Sequence, residues 1–194
     1  VQAVVRLDAR TLTIHDQEKA TLEVTRVVTI LNRKGDAYSQ LVVPFDDEFQ
    51  KVSGIKGELY DASGNRLEKL KKKEVLERGR GSMSVEDTRY KYAHLRHRRY
   101  PYTVMYTYEV RYKGLLNYPS WLPLADEEVS LERGELTVVV PPEMDLRFRP
   151  ANGMPEPVSQ GEEGETRYRV ELSEVVAEEP EYWAPRTHLP ILHL

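Results

Sequence analysis

From Tyr100 to Tyr112 every even position is tyrosine or valine, while most odd positions are Thr, Glu or Arg. A two-residue period is the signature of a strand with one face on a core and the other in water. Helical spacing would scatter those tyrosines around a whole cylinder. Pro101 sits where the strand starts, so its missing N–H costs little there. The segment is read as a long strand of an antiparallel sheet, and the rest of the chain must supply its neighbours.

Those neighbours are legible on both sides. Lys19–Leu31 places Ala20, Leu22, Val24, Val28 and Ile30 on one face, interrupted at Arg26, with Thr21, Glu23, Thr25 and Thr29 opposite. Tyr38–Val43 returns after the turn Asn32–Asp36 and stops at Pro44, so the two segments are expected to pair as a hairpin. Gln2–Leu7 and Arg10–His15 read as two short strands around Asp8-Ala9, and Glu128–Glu132 and Glu135–Val140 as two more around Arg133-Gly134. Lys51–Tyr60 and Arg66–Leu70 form a second hairpin across a Gly-containing turn, followed by the charged edge Lys69–Glu74. Phe45–Phe49 is a polar connection, and Leu76–Ser84, with its Gly79 and Gly81, is the most flexible-looking internal stretch. Asp87–His97 is a further strand. Trp121, between Pro119 and Pro123, is expected to plug one end of the core. Leu146–Arg149, Pro157–Gln160 and Thr166–Leu172 add short strands with turns at Asn152-Gly153 and Gly161–Gly164. About a dozen strands with no repeat of 20–50 residues predict an all-β fold, an antiparallel β-sandwich in one domain over residues 1–194. Residues 175–194 form a proline-punctuated tail or linker. Its Tyr182, Trp183, Leu189, Ile191, Leu192 and Leu194 are apolar enough to pack on a neighbouring domain, or back along the sandwich.

The 194 residues carry a net charge of −4, unevenly spread. Residues 66–113 hold 14 Lys/Arg against 6 Asp/Glu, and residues 114–194 hold 6 against 16. Either the two segments face each other across the fold, or the first makes a basic binding face. No apolar run approaches the ~20 residues of a transmembrane helix. The chain opens at Val1 with no charged-then-apolar leader, which fits a mature protein whose export signal has been removed. With no cysteine, it holds no disulfide, thiolate metal site or Cys nucleophile.

Asp87–Tyr100 alternates basic and aromatic residues, a mixture that suits an acidic polymer or sugar rings. Tyr90, Tyr92, Arg96, Arg98, Arg99 and Tyr100 are the candidate ligand-binding residues. The competing reading is a solvated strand with core tyrosines, since alternation sends Tyr90, Tyr92, His94 and Arg96 to one face and Arg89, Lys91, Ala93 and Leu95 to the other. His94 and His97, three apart on a strand, point to opposite faces and make a poor metal pair. No G-x-S-x-G elbow is present, and Gly79-x-Gly81 lacks the helix and Lys of a phosphate cradle. The acid runs Asp46–Glu48, Asp126–Glu128 and Glu162-Glu163 read as solvated loops. Nothing in the sequence calls for a cofactor, a metal, a catalytic group or a nucleic-acid partner.

The run YPYTVMYTYEVRYKG, then YPSWLPL, VSLERGELTVVVPP and RPANG, resembles the domain family DUF3857. VTRVVTILNRKGDAYSQLVVPFDD fits its N-terminal strands and ELYDASGNRLEKLKKKEV its central hairpin, so the resemblance runs from about Ala3 to the C-terminus. The family implies a β-rich region preceding a transglutaminase-like, papain-type domain in exported bacterial proteins, many from Bacteroidetes. The closing HLPILHL resembles the junction with that second domain. The resemblance implies a non-catalytic accessory domain, periplasmic or at the cell surface. Its partner would be the downstream domain of the same chain. The alternative is a carbohydrate- or polymer-binding module, taking peptide or polysaccharide on its basic, tyrosine-rich strands.

Overall fold

Alternating faces along long segments become a sheet only when their registers match, and here six strands of eleven or twelve residues match. The computed structural model describes residues 1–79, 88–114, 118–124, 126–162, 164–178 and 189–194. The expected flexible stretch from Arg80 onward, Leu115–Asn117, and the tail residues Tyr182 and Trp183 lie outside them. Strands β1 (Ala3–Ile14), β2 (Lys19–Ile30), β3 (Gln40–Asp46) and β4 (Gln50–Tyr60) open the chain. β5 (Arg66–Lys69), β6 (Leu76–Gly79), β7 (Thr88–His94) and β8 (Tyr102–Lys113) follow. β9 (Val129–Val140), β10 (Arg149–Ala151), β11 (Val158–Glu162), β12 (Glu165–Val175) and β13 (Ile191–His193) complete the described strands.

The main sheet has the order β11-β12-β9-β1-β2-β8-β4-β5, and a second sheet has the order β3-β7-β6. The expected all-β fold of antiparallel strands is what forms; β1 and β9 alone among these pairs run parallel. The even positions of β8 turn inward as the period requires: Tyr102, Val104, Tyr106 and Val110 are buried. Thr103 and Thr107 face out beside Thr29 and Thr25 of β2. The three-stranded sheet caps one half of the inner face with Leu41, Val43, Phe45, Ala93 and Leu95. The pair β10–β13 and the Trp121 segment cap the other half, with Trp121 bridging to buried Leu192. The described end of the tail therefore packs back along its own sandwich.

Several sequence expectations change. β1 is one strand, because a bulge lets Arg6 drop out of register between Val5↔Val28 and Leu7↔Val27. The extra residue moves the buried set from Ala3 and Val5 to Asp8, Leu12 and Ile14, as a one-residue slip must. β9 is likewise continuous through Gly134. β2 and β3 do not form a hairpin: a 3-10 turn, Arg33–Ser39, carries the chain from one sheet to the other. Gly35 in that turn lies so close to the N-terminal residues that a Cβ there would overlap the Gln2 carbonyl oxygen. β3 runs on through Pro44 to Asp46, tolerated because β3 is an edge strand, and Phe45 is core rather than connection. In β7 the odd face, Ala93, turns inward, leaving Tyr90 and Tyr92 half-buried on the outside. Within the main sheet the oppositely charged segments lie apart: β9, β11 and β12 are at one edge and β8 and β5 toward the other, with β1 and β2 between them.

Candidate functional site

Three positions that look like strand interruptions in the sequence meet in one row. Asp8 of β1 sits beside Gly134 of β9 and Arg26 of β2, and Arg26 beside Tyr106 of β8. The bulge at Arg6 turns Asp8 inward, where it is fully buried. A buried carboxylate is costly unless charged donors surround it. Asp8 Oδ1 accepts from Arg10 Nε at 2.8 Å and from Trp121 Nε1 at 2.9 Å. Its Oδ2 accepts from Arg26 Nη1, and from Arg10 Nη2 at 3.3 Å. Arg26 Nη1 also donates to the Pro123 carbonyl at 3.1 Å, tying the Trp121 segment down a second time. Gly134 makes room for the indole, since a Cβ there would stand 3.0 Å from Trp121 Cζ2. Trp121 is thus a central clasp rather than an end plug.

Burial pushes the Asp8 carboxyl upward, but the Arg10 and Arg26 charges and the hydrogen bonds from Arg10 and Trp121 outweigh it and hold it below the ordinary aspartate range. Arg10 is held above its ordinary value: burial opposes its charge, and Asp8 more than restores it. Burial raises the nearby phenols of Tyr108 and Tyr112, the latter to about 12, so both stay protonated at neutral pH. With both oxygens occupied by donors and its proton affinity lowered, Asp8 is a poor general base. Beside it a cleft of ≈ 310 Å³ opens between the two caps, lined by Arg10, Arg26, Tyr108 and apolar side chains.

A second carboxylate gathers part of the basic-aromatic stretch. Asp36 accepts from the Tyr100 hydroxyl at 3.0 Å, the Tyr102 hydroxyl at 2.9 Å and Arg96 Nη2 at 2.5 Å. Burial works against its charge, but these bonds and the Arg96 charge lower its pKa. Next to it the Ser39 hydroxyl donates to the Asp36 carbonyl, and His94 Nε2 lies 3.1 Å from that hydroxyl. Tyr106 donates to the Ser39 carbonyl and accepts from the Leu95 N–H, joining the two sheets. Burial and the Arg96 charge lower the His94 pKa.

Of the six residues singled out from sequence, Arg96 and Tyr100 converge, on Asp36. Tyr90 and Tyr92 stand apart on the outer face of β7. Tyr92 is flanked there by exposed Val42 and Leu76, and Tyr90 by Pro44 and Arg78. Arg98 and Arg99 are exposed in the following turn. Sequence reasoning missed Asp8, Arg10 and Arg26 as a group. Their signal was the charged residue in an apolar face, Arg26, read there only as an interruption.

Residues 16–179 match the model of a domain of unknown function with solved structure, DUF3857. The chain belongs to the DUF3857 family. A crystal structure of a candidate protease from Parabacteroides distasonis resembles this DUF3857 chain over 99% of its length with a TM-score of 0.83, at 14% identity. The DUF3857 chain spans 40% of that protein, and the likeness shows the fold. A variant of an M1 zinc metallopeptidase from Deinococcus radiodurans aligns over 99% of this chain and 42% of its own at 12% identity, but with a TM-score of only 0.45. No curated protein matches the chain.

Proposed function

We propose that this DUF3857 chain is a non-catalytic accessory domain of a longer, exported protein, docking against a downstream transglutaminase-like, papain-type domain. The observation that carries this reading is the outer face of the three-stranded sheet. There Val42, 51% exposed, and Leu76, 43% exposed, flank the half-buried ring of Tyr92. Adjacent apolar side chains left on one outer face of a sheet mark an interaction surface rather than scattered surface hydrophobes. Family membership and the 40% share of the larger Parabacteroides structure support a larger protein around this chain. The most reactive-looking buried group, Asp8, is held by two arginines and an indole, which favours a structural role. Hydrogen exchange on the longer protein tests docking. Protection is expected along β3, β6 and β7, and Leu76→Asp should release it while leaving β1, β2 and β8 protected. Unchanged exchange in that variant would remove the docking reading.

A second reading rests on the half-exposed rings of Tyr90 and Tyr92, with Arg78 beside Tyr90: a surface that stacks on a carbohydrate or other polymer. Retention on immobilised polysaccharide that is lost in Tyr92→Ala, with exchange unaffected by Leu76→Asp, would favour it.

A further inference from the structure

The cleft between the two caps has a charge imbalance at its floor. Arg10 and Arg26 share the single carboxylate of Asp8, and no other ion pair involves either arginine among the described residues. One net positive charge is therefore held in a half-buried place, with side-chain exposures of only 19% for Arg10 and 26% for Arg26. A cation in lowered dielectric is stabilised most by a second anion. The donors for one are in place: Arg10 Nη1 and Arg26 Nε and Nη2 have no hydrogen-bond partner among the described residues, and guanidinium forks match carboxylate geometry. Tyr108 lines the same cleft, its phenol kept protonated by burial.

The walls narrow the class of anion. Beside Tyr38 and Gln40 they are mostly apolar, with Val5, Val28, Leu41, Val42, Leu122 and Val129, so a free phosphate or sulfate would leave them unfilled. Gln40, Leu41 and Val42 line the cleft from β3, and no residue of β7 does. The cleft thus lies along the side of β3 that carries no strand partner among the described residues. An unpaired strand edge offers backbone donors and acceptors to an extended chain. We propose that this cleft binds the C-terminal carboxylate of an extended peptide ending in apolar residues, the carboxylate on Arg10 and Arg26 and the last side chains against the cleft walls. The cleft shares Val42 with the outer face used for docking but includes neither Leu76 nor Tyr92, so tests at Leu122 here and at Leu76 there can fail one without the other.

Calorimetric titration of the purified protein with acetyl-GSGVVL as the free acid tests it, beside the same peptide as its C-terminal amide and beside octanoate. The free acid should bind, and the amide should bind about tenfold more weakly or worse, from the loss of charge-assisted hydrogen bonds. Octanoate should bind more weakly than the peptide acid, because it has no backbone to pair with β3. Arg26→Lys keeps the charge but not the fork and should weaken the acid while narrowing the gap to the amide. Leu122→Glu, at a wall position 40% exposed, should abolish binding with the melting temperature preserved. Tyr92→Ala, on the outer face, should leave it unchanged. Equal binding of acid and amide overturns the proposal. So does no binding of the acid up to about 1 mM, octanoate binding as tightly as the peptide acid, or full binding by Leu122→Glu.

Discussion

Two carboxylates organise this molecule by opposite means. Asp8 lies in the middle of the main sheet's inner face with no exposure, and its partners are two guanidiniums and an indole. Asp36 lies on the turn between the sheets with its side chain 14% exposed, and its partners are two phenols and one surface arginine. Both have pKa values held below the ordinary range. At the edge, neutral hydroxyls and water-tempered charge suffice. In the interior, burial acts against ionisation strongly enough that full positive charges must face the carboxylate. Asp8 joins β1, β2 and the Trp121 segment, whereas Asp36 fastens the crossing turn to the start of β8.

The comparison predicts unequal damage. Removing Asp8 by Asp8→Ala strands two half-buried arginines, so urea unfolding at neutral pH should show a loss of about 3–5 kcal/mol; a loss no larger than for Asp36 would erase the distinction. Gly134→Ala places a methyl 3.0 Å from Trp121 Cζ2 and 3.2 Å from Leu131 Cδ2. It should cost about 1–3 kcal/mol by overpacking, checked by the thermal midpoint, with a shift in indole emission. Asp36→Asn keeps an acceptor and should cost about 1–2 kcal/mol, seen in the same urea series.

The acid limb sharpens the contrast further. Each carboxyl binds its proton less readily folded than unfolded, so its contribution is present above the unfolded value of about 4 and is lost as pH falls through the lower, folded value. Stability measured downward from pH 5 should therefore fall in the native chain and fall less steeply in Asp8→Asn and in Asp36→Asn. An unchanged slope in both variants would contradict the lowered values. Smallest of all, Arg98→Ala, at an exposed turn position, should change stability by no more than about 0.5 kcal/mol.

Much of the fold was legible because side-chain alternation reports directly on a strand's two faces. The even face of β8, the β4–β5 hairpin and the run of β2 follow from it. The breaks in β1 and β9 were misplaced for one reason. A charged or glycine residue within an apolar face looks like a turn when its cross-strand neighbours are unknown. Asp8, Arg26 and Gly134 are separated by 18 and 108 positions in the chain, yet share a row. The tyrosines of β7 misled differently: Ala93, small and inconspicuous, faces inward, while the larger rings lie outside.

By itself the sequence determined that this chain is all-β, which faces of its longest strands are buried, and, through its motifs, its family. Only the tertiary structure decided that a bulge at Arg6 turns an aspartate into the core, and that β3 leaves β2 to cover the other sheet. It alone brought Trp121 and two arginines to that aspartate. The physical reason is range: a period is written in neighbouring residues, whereas charge compensation is settled between strands that sequence separation keeps far apart.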